Sequence, residues 1–420
     1  MSDLVFILGL LTICGFGLWT WRIDSVQRLD TPARLSIAFS SGMVTISAAM
    51  FLASVVHLAW SRSLFVILLA LATLAAWPAI SRRAGKWRPR LTDAGILVIA
   101  LVLAYGVFTA RLTCADLLFF WGPKAAHFQA VRGIDPAFLA NPNYYLMHPD
   151  YPPLLPAVYA YAATLAQRMS WWGTLLLTPL SLLAGVASFR GLAAPKIGEA
   201  AAGRYALALA ALMAMIAVGS SAAGGADPLI WLFTVIGVSA LVFDESNGGR
   251  AIAVIALCGA AFTKVEGTAL AAIIIAAYAV TTRRPKAAAA LAIAPAILLG
   301  SWLTYAAHYR LLDSYARSGE PLHSDQLAPV LRQVAWSSSY RVWWLPWAVA
   351  LLLILFISNW RRAAFPLAVS LGTFAATIYF YLHSADPAFW IRTSAERVLG
   401  ATVLCLFLAS AAAEELRIEN

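Results

Sequence analysis

The sequence predicts an all-α polytopic membrane protein of about thirteen transmembrane helices, with interfacial or re-entrant helices in a large first outer loop. Three observations predict it. Hydrophobic residues fill 61% of the 420 positions and charged residues only 12%, whereas a soluble domain clothes its surface with roughly a quarter charged residues. Apolar runs near the ~20 residues needed to cross a bilayer recur from end to end. Basic clusters fall at alternate connections between those runs, the positive-inside pattern.

The runs read as spans over 4–20, 36–58, 63–80, 92–110, 171–189, 205–220, 228–243, 250–262, 266–280, 287–306, 343–358, 363–382 and 398–413. The N-terminus lacks a basic n-region, so 4–20 reads as a first span and not as a cleaved signal peptide. The two runs around 250–280 are short enough to be a tilted or broken pair. Three segments follow: an N-terminal three-helix extension (1–91), a central module with the outer loop 111–170 (92–306), and C-terminal helices with loops 307–342 and 383–397 (307–420).

The formal charge of +10 is explained by topology. WRIDSVQR (22–28), SRRAGKWRPR (81–90), the Arg190/Lys196/Arg204 loop, TTRRPK (281–286) and NWRR (359–362) each separate two spans. Thirteen spans place all five on one side, which the positive-inside bias makes cytoplasmic. Topology covers nearly all of the excess charge, which argues against a nucleic-acid partner. The four cysteines, Cys14, Cys114, Cys258 and Cys405, show no metal-ligand spacing and no disulfide framework.

The opposite face collects the long loops, as expected for a bacterial inner membrane with its site facing the periplasm; an ER lumen obeys the same rule. Span interiors carry essentially no charge and no inverted repeat is visible, which disfavours ion paths and transport. A site at the outer membrane–water boundary fits better. The segment PPLLPAVYAYAATLAQR (152–168) nearly qualifies as a span. Counting it would put the Arg190/Lys196/Arg204 and TTRRPK loops outside, so it reads as a helix lying in the interface or dipping part-way in.

In TCADLLFFWGPKAAHFQAVRG (113–133), Gly122–Pro123 is expected to break the chain into two short surface helices, about 114–121 and 123–132, with Gly133 as the stop. Trp121 belongs to the aromatic anchor of these helices, and Lys124 and His127 share a face. Asp116 is the lone carboxylate where a span emerges; Thr113-x-x-Asp116 also fits a capping box. HPDYPPLLP (148–156) is expected to be extended until Pro152 or Pro153 opens a helix, with Asp150 or Tyr151 at its N-cap. That helix N-terminus would offer partial positive charge to a phosphate, with His148 beside it.

Asp227, after two glycines in GGADP, reads equally as a ligand-facing carboxylate or a turn residue. Lys264 and Glu266 in FTKVEG sit at a hairpin tip, where a surface ion pair is the plain alternative. HSADPAFWIRTSAER (383–397) carries His383, Asp386, Arg392 and Arg397. Arginines on the outer face run against the positive-inside bias, and a lipid phosphate is what they would clamp.

In this order the residues resemble the GT-C superfamily of membrane glycosyltransferases, including its family 39-like and aminoarabinose-transferase-like members. The similarity runs over most of the chain after about residue 92. It rests on Asp116 beyond a span, the Trp121/Pro123/Lys124/Ala125 helix, the H-x-x-YPPL-x-P stretch (His148 to Pro156), the ADP turn (Asp227) and the FTK-x-EG turn (Lys264, Glu266). The resemblance implies catalytic residues just outside the bilayer and a polyprenyl-phosphate sugar as donor, with a glycan, lipid or protein as acceptor. It implies Asp116 as general base, Asp227 for acceptor or metal binding, and Lys264, Arg392 or Arg397 on the donor phosphate. His148 and Tyr151 would contact substrate. The resemblance fixes no cofactor and leaves open a divalent cation (Mg or Mn), which Asp116 and Asp227 would hold. Two other classes compete: a lipid-linked glycan flippase, and a non-catalytic scaffold of a polysaccharide assembly complex.

Overall fold

The computed structural model describes residues 2–80, 89–109, 114–311, 321–341, 360–384 and 386–414. The span expected at 343–358, Thr113 of the capping box and most of the basic cluster 81–90 lie outside the described residues. In chain order the helices are α1 (Ser2–Phe16), α2 (Asp24–Arg28), α3 (Thr31–Val55), α4 (Arg62–Ile80), α5 (Leu91–Thr109), α6 (Gly122–Val131), α7 (Pro136–Leu139), α8 (Leu154–Ala166), α9 (Trp171–Leu175) and α10 (Leu177–Ile197). They continue as α11 (Glu199–Gly219), α12 (Asp227–Phe243), α13 (Asn247–Ala261), α14 (Val265–Thr282), α15 (Pro285–His308) and α16 (Leu327–Arg341). Two long helices close the chain, α17 (Trp360–Leu382) and α18 (Pro387–Glu414). No strand occurs among the described residues.

Among the described residues, ten helical stretches are long and apolar enough to cross a membrane, and each coincides with an expected span. The spans expected at 228–243 and 250–262 are the shorter apolar helices α12 and α13. α12 has no polar face, and all but one of its residues are buried among α10, α13 and α18. A helix apolar all round has to be enclosed or lipid-facing, and here it is enclosed.

Contacts between helix ends define two faces. On one face Ser25 meets Ser246 at 3.0 Å, Arg284 pairs with Glu245 at 3.6 Å, and Arg190 pairs with Asp93 and with Glu199. The Arg190/Lys196/Arg204 loop does not exist as a loop. Arg190 and Lys196 belong to α10, Arg204 belongs to α11, and only Gly198, with φ of 78°, turns the chain between them. Buried Arg190 is tolerated inside α10 because two carboxylates neutralise it.

The opposite face holds the start of α12, the α13–α14 turn and the first turns of α18. The loop expected at 383–397 is mostly helix: α18 begins at Pro387, and the Asp386 carboxylate takes the Phe389 N–H at 2.9 Å. Arg392 and Arg397 therefore stand on a rigid helix.

α8 has 13 residues, ~20 Å at 1.5 Å per residue, short of a ~30 Å hydrocarbon core. Leu154 through Ala163 are all buried, packed against α1, α3 and α6. The helix is inside the bundle and does not lie over its surface.

Candidate functional site

The site grows from three turns at that second face. The first is the turn before α12. Gly224 adopts φ of 76°, a left-handed conformation suited to glycine. Its N–H donates to Thr178 Oγ1 at 3.1 Å, and its carbonyl accepts from Tyr159 at 2.8 Å. This fixes Asp227 as the first residue of α12, 2% exposed. The second turn joins α13 to α14: Lys264 is extended, and the adjacent Phe262 carbonyl accepts the Leu154 N–H of α8 at 3.1 Å. The third begins at Cys114, whose N–H donates to the Ala223 carbonyl at 3.1 Å, so Asp116 starts beside the first turn.

These turns and α18 bring five charged side chains into one chain of contacts. Arg397 Nη1 lies 2.5 Å from Asp116 Oδ2 and 3.4 Å from Asp227 Oδ2. Lys264 Nζ lies 2.6 Å from Asp227 Oδ1 and 3.6 Å from Glu266 Oε1. Three carboxylates thus face two cations. Burial works against the Lys264 charge, but Asp227 and Glu266 outweigh it and hold the ammonium above the usual lysine range. Two plain alternatives do not hold: Asp227 is no solvated turn residue, and Lys264 is buried. The Asp116 side chain makes no cap to the 117–121 turn.

Arg397 is set by its own helix and by α12. Its carbonyl accepts from Trp231 Nε1 at 3.2 Å, and its Nη2 donates to the Thr393 carbonyl at 3.3 Å. Nη1 also contacts Cys114 Sγ at 3.3 Å. Nε and one Nη2 hydrogen stay outside these bonds. A guanidinium keeps bidentate capacity for a phosphate through such an edge. Glu266 Oε2 and Trp121 Nε1 are buried without a hydrogen-bond partner; each such group costs ~1–3 kcal/mol unless a ligand satisfies it.

A second group adjoins the first. The chain does not break at Gly122–Pro123: residues 117–121 form a π-helical turn that runs straight into α6. Proline has no N–H to contribute, and the wider turn accommodates that. Gly122 is required there, because a Cβ would stand 2.1 Å from the Trp171 ring. Trp121, Lys124 and Phe128 are buried, so this is not a surface helix. It ends at Arg132 in the left-handed region, one residue before the expected Gly133.

Lys124 Nζ donates to the His148 carbonyl at 2.7 Å and stands 5.4 Å from the Trp121 ring centroid. Burial lowers its pKa to about 7. HPDY is a turn and not an extended strand: His148 has φ of 50°, and its carbonyl also accepts the Tyr151 N–H at 3.1 Å. The His148 and Tyr151 rings stack at 4.5 Å, with Trp121 5.6 Å from Tyr151. Burial and the Lys124 charge bring His148 down to about 4; Asp116, Asp150 and Lys264 are close enough to act on it. Asp150 and Tyr151 do not cap α8, whose N-cap is Pro153. The Asp150 carbonyl accepts instead from Trp302 Nε1 at 2.7 Å.

Two expected residues fall outside both groups. Arg392 is exposed, five positions before Arg397 and so not on its face of α18. His127 bonds Asp135 at 2.9 Å and stacks on Phe138 at 3.9 Å. Burial opposes the Asp135 charge, yet its bonds to His127 and to the first N–H groups of α7 keep it below the usual carboxylate range. Cys114, Asp135, Trp231 and Trp302 also contribute contacts here and were not among the expected site residues. Only Trp231 carried a signal, lying one helical turn beyond Asp227.

Asp116 and Asp227 do not fit a divalent ion in this arrangement. They share Arg397, and Asp227 also binds Lys264; among the described residues no group of three or more His, Cys, Asp or Glu could hold a metal. No protein-family model matches the chain, and comparison with curated proteins and with solved structures finds no match.

Proposed function

We propose that the protein is a membrane glycosyltransferase. It moves a sugar from a polyprenyl-phosphate donor to a hydroxyl acceptor (a glycan, lipid or protein) at the outer membrane–water boundary. In this reading the face with Arg190 is cytoplasmic, the bundle has thirteen spans, and α8 is a re-entrant floor beneath the site. The observation that carries the reading is the Arg397 guanidinium, held by Asp116 and Asp227 with one donor edge outside those bonds.

The chemistry follows from these groups. The donor phosphate lies on the Nε and Nη2 edge of Arg397, with the charge of Lys264 behind it, so charge developing on the leaving group is neutralised in place. Asp116, the more accessible carboxylate of the pair, accepts the proton of the acceptor hydroxyl. The acceptor oxygen bonds to the anomeric carbon as the bond from that carbon to the phosphate oxygen breaks. The transition state is oxocarbenium-like, and the polyprenyl phosphate leaves with the bonding pair. Both Asp227 oxygens are occupied, so its role is to position Lys264 and Arg397. Glu266 Oε2 and Trp121 Nε1, one acceptor and one donor, suit sugar hydroxyls.

A second reading, a non-catalytic scaffold, is favoured by the pairing of both cations, Lys264 and Arg397, with carboxylates of the chain itself. Mass spectrometry of lipids that co-purify in native-membrane nanodiscs separates the two. The transferase reading expects a polyprenyl phosphate or its sugar ester on the wild type and on Asp116→Asn, and its loss from Arg397→Ala. Bulk phospholipid alone in all three would favour the scaffold.

A further inference from the structure

The face bearing Arg190 holds a different kind of arginine. Arg34, on the first turn of α3, is 1% exposed, and its Nε and Nη2 are buried without a hydrogen-bond partner. It forms no ion pair among the described residues, in contrast to Arg190 on the same face. Asp30, one turn earlier, uses its carboxylate on the Ala33 N–H at 3.0 Å. Among the described residues the guanidinium packs on the ring of Trp21, 4.3 Å from its centre, and only its Nη1 falls outside the buried, unbonded set. A buried charge without a counter-charge is strongly destabilising, and native structures supply an anion or move the charge to water.

We propose that Arg34 is the receptor for the phosphate of an anionic membrane lipid. The surroundings fit a lipid. Trp19 and Trp21 are partly exposed on the 3-10 turn Leu18–Arg22 between α1 and α3, the placement of an interfacial aromatic belt. Next to Arg34, Leu35 is 43% exposed, and on α1 Leu4, Leu8 and Leu11 are 59%, 50% and 46% exposed. Cys14, one turn beyond Leu11, contacts the Leu35 carbonyl at 3.4 Å. The apolar strip of α1 therefore leads along the bilayer to the guanidinium, as an acyl chain leads to its headgroup. Exposed Arg22 and Arg28 flank the site and attract anionic headgroups. A headgroup phosphate displaces the Trp21 roof and takes the Nε and Nη2 donors as a bidentate pair. This site is independent of the transferase reading.

The test uses the full chain in mild non-ionic detergent, with phosphatidylglycerol or phosphatidylcholine added, and native mass spectrometry to count retained lipid. The wild type is expected to retain one phosphatidylglycerol and to prefer it over phosphatidylcholine by about tenfold, ~1.4 kcal/mol. Arg34→Gln is expected to lose that preference, while Arg204→Gln, at an exposed arginine of α11, keeps it. Should Arg34→Gln not fold, Arg34→Lys keeps the charge without the fork and is expected to retain the lipid less well than the wild type. Equal retention by the wild type and the Arg34 variants overturns the site. So does displacement of the lipid by millimolar inorganic phosphate, which would make free phosphate the ligand.

Discussion

The Arg397 guanidinium meets the Asp116 carboxylate at 2.5 Å across 281 residues of sequence, and the same nitrogen lies 3.4 Å from Asp227. One cation therefore joins the residue before the 117–121 turn, the start of α12 and the first turns of α18. The two carboxylates differ in surroundings. The Asp116 side chain is 23% exposed and that of Asp227 only 3%, and this difference separates their expected roles.

Asp116→Asn is expected to lower transfer by ~10²–10⁴-fold, the usual worth of a general base, while changing stability by no more than ~1 kcal/mol, as for a partly exposed pair. Asp227→Asn leaves Lys264 and Arg397 facing a neutral amide in a buried site and is expected to cost ~3–5 kcal/mol. Thermal melting beside an activity assay checks both; equal melting losses would contradict the assignment.

Arg392→Ala is expected to leave lipid retention unchanged and stability within ~0.5 kcal/mol, as for an exposed side chain outside any network. Arg397→Ala is expected to lose the donor lipid. The reverse pattern would move the phosphate site to the outer surface of α18.

Lys124 and His148 give a pH dependence with a definite sign. Both have folded-state pKa values below their ordinary ones, about 7 against 10.5 and about 4 against 6.5. The unfolded chain therefore binds more protons across both windows, and stability rises with pH through each. Acidification from pH 10 toward 7 is expected to destabilise the wild type, and again from 6.5 toward 4. Lys124→Met should flatten the upper window in a melting series against pH; an unchanged slope would show that another group titrates there.

Gly122→Ala drives a Cβ into the Trp171 ring and against the Leu117 carbonyl, at 2.1 and 2.6 Å. The expected cost is ~1–3 kcal/mol for overpacking, with a weakened hold of Lys124 on the His148 carbonyl. Reduced protection of the Tyr151 amide, which donates to the same His148 carbonyl, in hydrogen exchange would register it.

The membrane class and the ten long apolar helices were legible because composition and run length report directly on the solvent a helix needs. So were Asp116, Asp227, Lys264 and Glu266, polar residues at the ends of apolar runs. What the sequence concealed was pairing. Arg397 reads as a loop residue until α18 is seen to extend back to Pro387, because polar first turns look like connections to a hydropathy window. The π-turn at 117–121 was invisible for a related reason: Gly-Pro signals a break, and only the packing of Trp171 on Gly122 decides that the helix continues. Arg190 looked like a topology signal, yet its side chain closes an ion pair inside the bundle.

The most direct test of the central claim is release of free polyprenyl phosphate from labelled polyprenyl-phosphate sugar in membranes carrying the wild type, Asp116→Asn or Arg397→Ala, each at matched protein level. Release is expected from the wild type, slowed by ~10²-fold or more in Asp116→Asn with the donor still bound, and no donor binding is expected in Arg397→Ala. Equal release from all three, or none from the wild type while it holds the donor, would contradict it.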